Sequence, residues 1–177
     1  MNAARLQHAI ASLMDPRPEQ GRDKISWLGA LQVRDLMSAP AVCTDPSSSL
    51  TAAHLLMREH NLRRLPVVEN GRLVGILTLG DVRGAGPSEV STLNRTELGY
   101  LTEQLKVERA MSREVVTTAP DSSLKEAARL MVQHRVSGLP VVSPAGELMG
   151  VVTESDIFKT MVDLLELDEQ LAEPSAS

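Results

Sequence analysis

Two four-residue patterns hold the most suggestive polar chemistry in the chain, Thr78-Leu79-Gly80-Asp81 and Thr153-Glu154-Ser155-Asp156. Each sets a hydroxyl three residues ahead of a carboxylate. The plain consequence is a capping box, in which Thr and Asp satisfy two orphan amides at the start of a helix. The same physics suits a ligand. A helix N-terminus offers unbonded N–H groups and a positive dipole end to phosphate, and an Asp beside it can accept both hydroxyls of a ribose. Capping and binding are compatible uses. The surroundings of the two patterns differ. Arg63-Arg64 precede Leu65 in one copy and Arg83 follows Asp81, whereas Ser137-Gly138 precede Leu139 and Glu154 lies inside the motif in the other. A guanidinium pair suits bidentate phosphate binding, though it also serves simply as a solvated pair. The two sites are therefore expected to be inequivalent, with polyphosphate drawn to Arg63 and Arg64.

Catalysis finds little support. His60 and His134 occupy equivalent positions, but no HExxH, CxxC or Ser-based motif accompanies them. A His near a helix C-terminus is more simply a partner for the last carbonyls and the dipole. Gly84-Ala85-Gly86 lacks the third glycine of a dinucleotide fingerprint. The chain is read as a non-enzyme with no obligatory cofactor and no metal. Cys43 is the only cysteine among 177 residues. It excludes an internal disulfide, fits a reducing compartment, and is expected to be a small buried hydrophobe in a strand. A cytoplasmic location follows as the default expectation.

Composition narrows the partners. Hydrophobic residues make up 42% of the chain, yet the only aromatics are Trp27, Tyr100 and Phe158. That shortage argues against base-stacking platforms. The formal net charge of −5 leaves no excess of Lys and Arg for binding a nucleic-acid backbone. No apolar run approaches 18 residues, so membrane insertion is not expected. Leu6, Ile10, Leu13 and Met14 lie at helical spacing without a continuous apolar segment, which argues against a secretory signal.

These residues must be positioned by something, and the chain repeats itself. Residues 33–68 match 107–142 at an offset of 74, with 17 identities in 36 pairs. Leu65-Pro66-Val67-Val68 reappears as Leu139-Pro140-Val141-Val142. One inserted residue later, Gly71, Leu73, Gly75, Thr78 and Asp81 pair with Gly146, Leu148, Gly150, Thr153 and Asp156. Each copy reads as β-α-β-β-α. A β-branched run (41–44; 115–118) is a strand candidate. Pro46 to Ser49 and Pro120 to Ser123 then supply turn and N-cap residues, with Ser123 and Glu126 at capping-box spacing. A helix follows, burying Leu50, Ala53 and Met57, or Leu124, Ala127, Leu130 and Met131. Two strands come next. Asn70-Gly71 between them is a strong hairpin signal, and Ser143 to Gly146 form the longer second turn. The last helix opens after Thr78 or Thr153.

One such unit has too few residues for a stable core, so two are expected to pack together. The expected organisation is an N-terminal helix and leader at 1–30, a first repeat at 31–86, and a linker helix within 87–106. A second repeat at 107–165 and a tail at 166–177 complete it.

The duplicated order V-x-x-x-M (Val33 to Met37; Val107 to Met111), L-P-V-V and G-h-h-T-x-x-D, where h is apolar, resembles a tandem of cystathionine β-synthase-type (CBS) domains, a Bateman module. The resemblance implies an α/β (α+β) fold of two β-α-β-β-α repeats packed as a pseudo-twofold pair. It further implies a regulatory ligand, an adenine nucleotide (AMP, ADP or ATP) or S-adenosylmethionine, with Asp81 and Asp156 at the ribose and Thr78 and Thr153 near phosphate. The adenine walls would be Val42, Thr44 and Leu65 in the first site, beside Arg63 and Arg64, and Val116, Thr118 and Leu139 in the second. It implies a homodimer formed through the repeat helices and an output, such as energy sensing, delivered to an effector protein outside this chain. The rival expectation is an interaction or assembly module whose clefts no longer bind ligand.

Overall fold

The computed structural model of the chain describes residues 31–85 and 105–172, with side chains described through residue 166. The helix expected over 1–14, the rest of the leader with Trp27, nearly all of the linker helix with Tyr100, and residues 173–177 of the expected tail lie outside the described residues; the tail's first residues, 166–172, instead continue the last helix.

The elements in chain order are α1 (Val33–Leu36), α2 (Leu50–Glu59), β1 (Arg64–Glu69), β2 (Arg72–Thr78), α3 (Leu79–Gly84), α4 (Val107–Ala110), α5 (Leu124–His134), β3 (Gly138–Val142), β4 (Leu148–Thr153) and α6 (Glu154–Ala172). β1 pairs with β2 and β3 with β4, giving two small antiparallel sheets. The described chain divides into two compact units. The α2 unit holds Ala41–Val115 with Pro144–Leu148, and the α5 unit holds the residues up to Pro40, Val116–Ser143 and the chain from Met149 onward.

In the α2 unit, the Ser49 hydroxyl caps α2 by accepting from the Ala52 amide at 3.1 Å. Leu50, Ala53 and Met57 then face Leu65, Val67 and Leu77 of the hairpin. Removing a side chain as large as Met57 from such a core costs about 2–5 kcal/mol. The hairpin turns at Asn70-Gly71 with φ of 51° and 79°, the left-handed pair that a type I′ turn requires. The second repeat's turn, Pro144–Leu148, lies against it. The Leu73 amide donates to the Gly146 carbonyl (3.1 Å), the Leu148 amide to Gly71 (3.3 Å), and the Arg72 guanidinium to the Ala145 carbonyl.

The strand expected over 41–44 shortens to one parallel bridge, Thr44 with Val67. The Thr44 amide donates to the Pro66 carbonyl (3.0 Å) and the Val68 amide to the Thr44 carbonyl (2.9 Å). Continuing the ladder would need an N–H from residue 46 on one side and residue 66 on the other. Both are proline, so it stops in both directions. Thr118 makes the same two bonds to Pro140 and Val142, with Pro120 and Pro140 as the stops. The four prolines shared by the copies thus hold each bridge to a single residue. Cys43 corrects the expectation made for it: it is exposed and outside any strand, because the ladder that would have carried it never forms.

The free edge of β2 is covered by the opening of the other repeat. Ile76 and Ser112 exchange backbone bonds at 2.9 Å in both directions. Met111 lies so close that a Cβ placed on Gly75 would meet its Sδ at 2.6 Å. Glycine is required there for close approach. Val107 and Met111 accordingly complete the core of the α2 unit. The α5 unit repeats the arrangement with the partners reversed. Ser38 pairs with Val151 on β4, and a Cβ on Gly150 would meet the Met37 Sδ at 2.9 Å. Leu31, Val33, Leu36 and Met37 pack with Leu124, Met131, Leu139 and Val152. Each repeat's V-x-x-x-M therefore completes the other repeat's core.

Candidate functional site

Both Thr-x-x-Asp motifs form at the point where a strand passes directly into a helix. At the start of α3, the Thr78 amide and hydroxyl both donate to Asp81 Oδ2, at 2.7 and 2.6 Å. The Asp81 amide returns a bond to the Thr78 hydroxyl at 3.2 Å. This is the capping box. At the start of α6, the Thr153 amide and hydroxyl donate to Asp156 Oδ2 at 2.8 and 2.6 Å. Asp156 is buried to 7% exposure, Asp81 only partly. In both copies the box engages Oδ2. A carboxylate has about four acceptor positions, and Oδ1 takes no part in the box.

A second constraint locks each motif. The amide of Leu79, first residue of α3, donates to the Arg63 carbonyl at 2.9 Å, and that of Glu154, first residue of α6, to the Ser137 carbonyl at 3.2 Å. The residue leading into the inner strand is thereby fixed at the mouth of the helix. In the α2 unit this brings the predicted residues together. Arg64 stands opposite Thr78 in the β1–β2 register, Leu65 opposite Leu77, and Arg63 is exposed. Arg83 is exposed in the last turn of α3. In the α5 unit the same places hold Ser137 and Gly138, and an exposed Glu154 begins the helix. The electrostatic contrast expected from the two copies is thus set beside equivalent backbone.

The expected adenine-wall residues divide. Leu65 and Leu139 are 0% exposed and fill the two cores, so only their main chain can face a ligand. Val42 and Val116 are partly buried against those cores. Thr44 and Thr118 sit on the opposite edge of the inner strand from the outer hairpin strand. Thr44 is partly buried. Thr118 is 5% exposed, and its hydroxyl finds no hydrogen-bond partner among the described residues. A buried hydroxyl left unbonded costs about 1–3 kcal/mol.

Thr160 lies beyond the Thr-x-x-Asp motif but supports it. Fully buried, it donates its hydroxyl to the Asp156 carbonyl at 2.8 Å and so holds the turn of α6 that carries the carboxylate. Its spacing of four from Asp156 is the only sequence signal. His60 and His134 are exposed at the ends of α2 and α5. Among the described residues no group of three or more His, Cys, Asp or Glu is placed to hold a metal ion, and no helix is long and apolar enough to cross a membrane.

Comparison with known proteins places this geometry. The sequence model of the CBS domain matches twice, over residues 33–88 and 107–163. An inosine-5'-monophosphate dehydrogenase from Korarchaeum cryptofilum is 34% identical over 119 residues, 66% of this chain but 21% of that enzyme. The chain therefore spans about a fifth of that relative's length. Among solved structures, the CBS domain pair of protein MJ0100, in complex with 5'-methylthioadenosine and S-adenosyl-L-methionine, shares 28% identity with a TM-score of 0.62. That match covers 75% of this chain and 97% of the other. CBSX2 in complex with AMP shares 25% identity with a TM-score of 0.63, over 76% and 98% of the respective chains.

Proposed function

The chain belongs to the CBS domain family, and we propose that it is a regulatory module that holds an adenosine-type ligand at one or both of its Thr-x-x-Asp sites. The observation that carries the proposal is the Thr118 hydroxyl, buried and unbonded at a position where the family resemblance puts the adenine. In this reading, Asp81 or Asp156 accepts a ribose hydroxyl through the oxygen that the capping box leaves over. The main chain beside Leu65 or Leu139 and the side chains of Val42 and Thr44, or Val116 and Thr118, contact the base. Arg63 and Arg64 draw a phosphorylated ligand such as AMP, ADP or ATP to the first site. Glu154 opposes phosphate at the second and favours a neutral or cationic adenosyl group, as in 5'-methylthioadenosine or S-adenosylmethionine. Structural relatives solved with AMP and with 5'-methylthioadenosine and S-adenosyl-L-methionine support this range.

The module acts through differential affinity rather than catalysis. A ligand that binds one conformation better shifts the population toward it, and a separate protein or self-association reads the change.

The test is a thermal-shift panel of AMP, ADP, ATP and S-adenosylmethionine on wild type, Asp81→Ala, Asp156→Ala and Arg63→Ala/Arg64→Ala, starting from nucleotide-free protein. Each Asp variant also loses the carboxylate half of its capping box, worth about 1 kcal/mol, so the ligand-dependent increment is compared rather than the absolute midpoint. Phosphorylated ligands should lose their increment in the arginine variant and in Asp81→Ala. No increment with any ligand on wild type would refute ligand sensing and leave the assembly reading. Increments unaffected by all variants would refute the site.

A further inference from the structure

The two Thr-x-x-Asp boxes make the same bonds to Oδ2, yet the helices behind them are anchored differently. In the first copy the Asp81 carbonyl accepts the Ala85 amide at 2.9 Å, and a methyl is all that the Ala85 side chain adds. In the second copy the matching residue, 75 positions on, is Thr160. Its hydroxyl donates to the Asp156 carbonyl at 2.8 Å, and the residue is 0% exposed. Asp156 is itself buried, whereas Asp81 is only partly so.

Stability alone does not call for a hydroxyl at 160. The residue lies between Ile157 and Leu164 at i, i+3 and i+7 on one face of α6, and both of those neighbours pack on the apolar core of the α5 unit. Valine would fill the same volume with no polar group to satisfy. The partner that the hydroxyl takes is a carbonyl of its own helix, and a back-bond of this kind does not strengthen a helix and tends to bend it. What the bond does fix is the peptide group between Asp156 and Ile157. The box holds the carboxylate from the front through Thr153, and Thr160 holds its main chain from behind. We propose that Thr160 is a positioning residue of the second site. It pre-organises Asp156 for a ribose, while the first site, with Ala85 in the same place, depends on the charge of Arg63 and Arg64. A group already held in one geometry binds at a lower ordering cost than one that the ligand must fix. This role rests on the adenosine-binding reading and adds to it the residue that separates the two sites in affinity.

Calorimetric titration of the nucleotide-free full chain with S-adenosylmethionine and, separately, with AMP tests the role on wild type, Thr160→Val, Thr160→Ala and Thr160→Ser. Removing the hydroxyl should weaken S-adenosylmethionine about fivefold or more and leave AMP within about twofold. Thr160→Ser should restore S-adenosylmethionine binding. A purely structural role would instead lower the urea midpoint and weaken both ligands together, and that result would overturn the proposal. So would a serine variant that fails to rescue. Thr160→Ala carries the first copy's residue and decides the matter if valine does not fit. A wild type that bound neither ligand would remove the adenosine-binding reading and the role of Thr160 with it. A wild type that bound S-adenosylmethionine no better than the variants lacking the hydroxyl would remove the role of Thr160 alone.

Discussion

Replacing Thr118 with Val separates what the free protein tolerates from what a ligand gains. The Thr118 hydroxyl is buried without a partner among the described residues, and such a group costs about 1–3 kcal/mol relative to an apolar one of the same shape. Thr118→Val should therefore stabilise the free protein by about 1 kcal/mol, or some 2–4 °C in Tm for a chain of this size. The ligand should see the opposite sign. A wild-type increment of about 2.7 kcal/mol, reached at 100 times Kd, includes one hydrogen bond to this hydroxyl. Its loss weakens binding by about 1 kcal/mol, near sixfold in Kd. At the same ligand concentration the increment falls to about 1.7 kcal/mol. The assay is urea denaturation with and without ligand, comparing midpoints at constant m. Thr44→Val is the control: Thr44 is partly solvated, and the free protein should change by no more than about 0.5 kcal/mol. If Thr118→Val leaves the free protein unchanged or destabilised, the hydroxyl is not stranded. If it leaves the ligand increment intact, the hydroxyl is not at the ligand.

Gly75→Ala and Met111→Ala should couple, because the new Cβ would stand 2.6 Å from the Met111 Sδ. The first change overpacks by about 1–3 kcal/mol and the second empties core at about 2–5 kcal/mol. The double variant should fall at least 0.5 kcal/mol short of their sum in denaturant melts, and simple additivity would refute the contact. Arg135, the C-cap of α5, is held at φ 54° and ψ 41°, a conformation that Asn61 adopts at the matching place in the first copy. Arg135→Asn should raise stability by about 0.5–1 kcal/mol, read from the urea midpoint. The Asp45 carboxyl is held below its ordinary pKa by bonds from the Ser47 hydroxyl and amide. Its contribution to stability is therefore present above the unfolded-state value and is lost as pH falls through the depressed folded value. Ser47→Ala should move the Asp45 titration upward by NMR, and an unmoved titration would refute the assigned cause.

What the sequence disclosed followed from local physics. Asn70-Gly71 announced its own turn, Thr78 and Asp81 their own cap, and the helix faces their own stripes. What it hid depended on partners far along the chain. Both V-x-x-x-M segments satisfy the repeat equally well whether they pack on their own copy or on the other, so a constant offset cannot tell the two apart. The steric lock of Met111 on Gly75 and Met37 on Gly150 decides it, and it is visible only in three dimensions. The strand around Cys43 shrinks to one bridge for a similar reason. A β-branched run says nothing of the proline on its partner strand, Pro66, which with Pro46 beside the run removes the donors its ladder would need. At the site, spacing brought out Thr and Asp, but only the bond from the Leu79 amide to the Arg63 carbonyl shows why the arginine pair stands beside them.

The exchanged openings also determine what a single cut would do. Cleavage between the repeats would leave residues 31–38 clasped in the core built by the second half, and residues 105–112 clasped in the core built by the first. Neither fragment would own a finished hydrophobic interior. Each would be a half-product whose missing edge is carried by the other. The two pieces, expressed apart and mixed, should therefore reassemble as a split protein, because the chain is stitched to itself by packing as well as by peptide bonds.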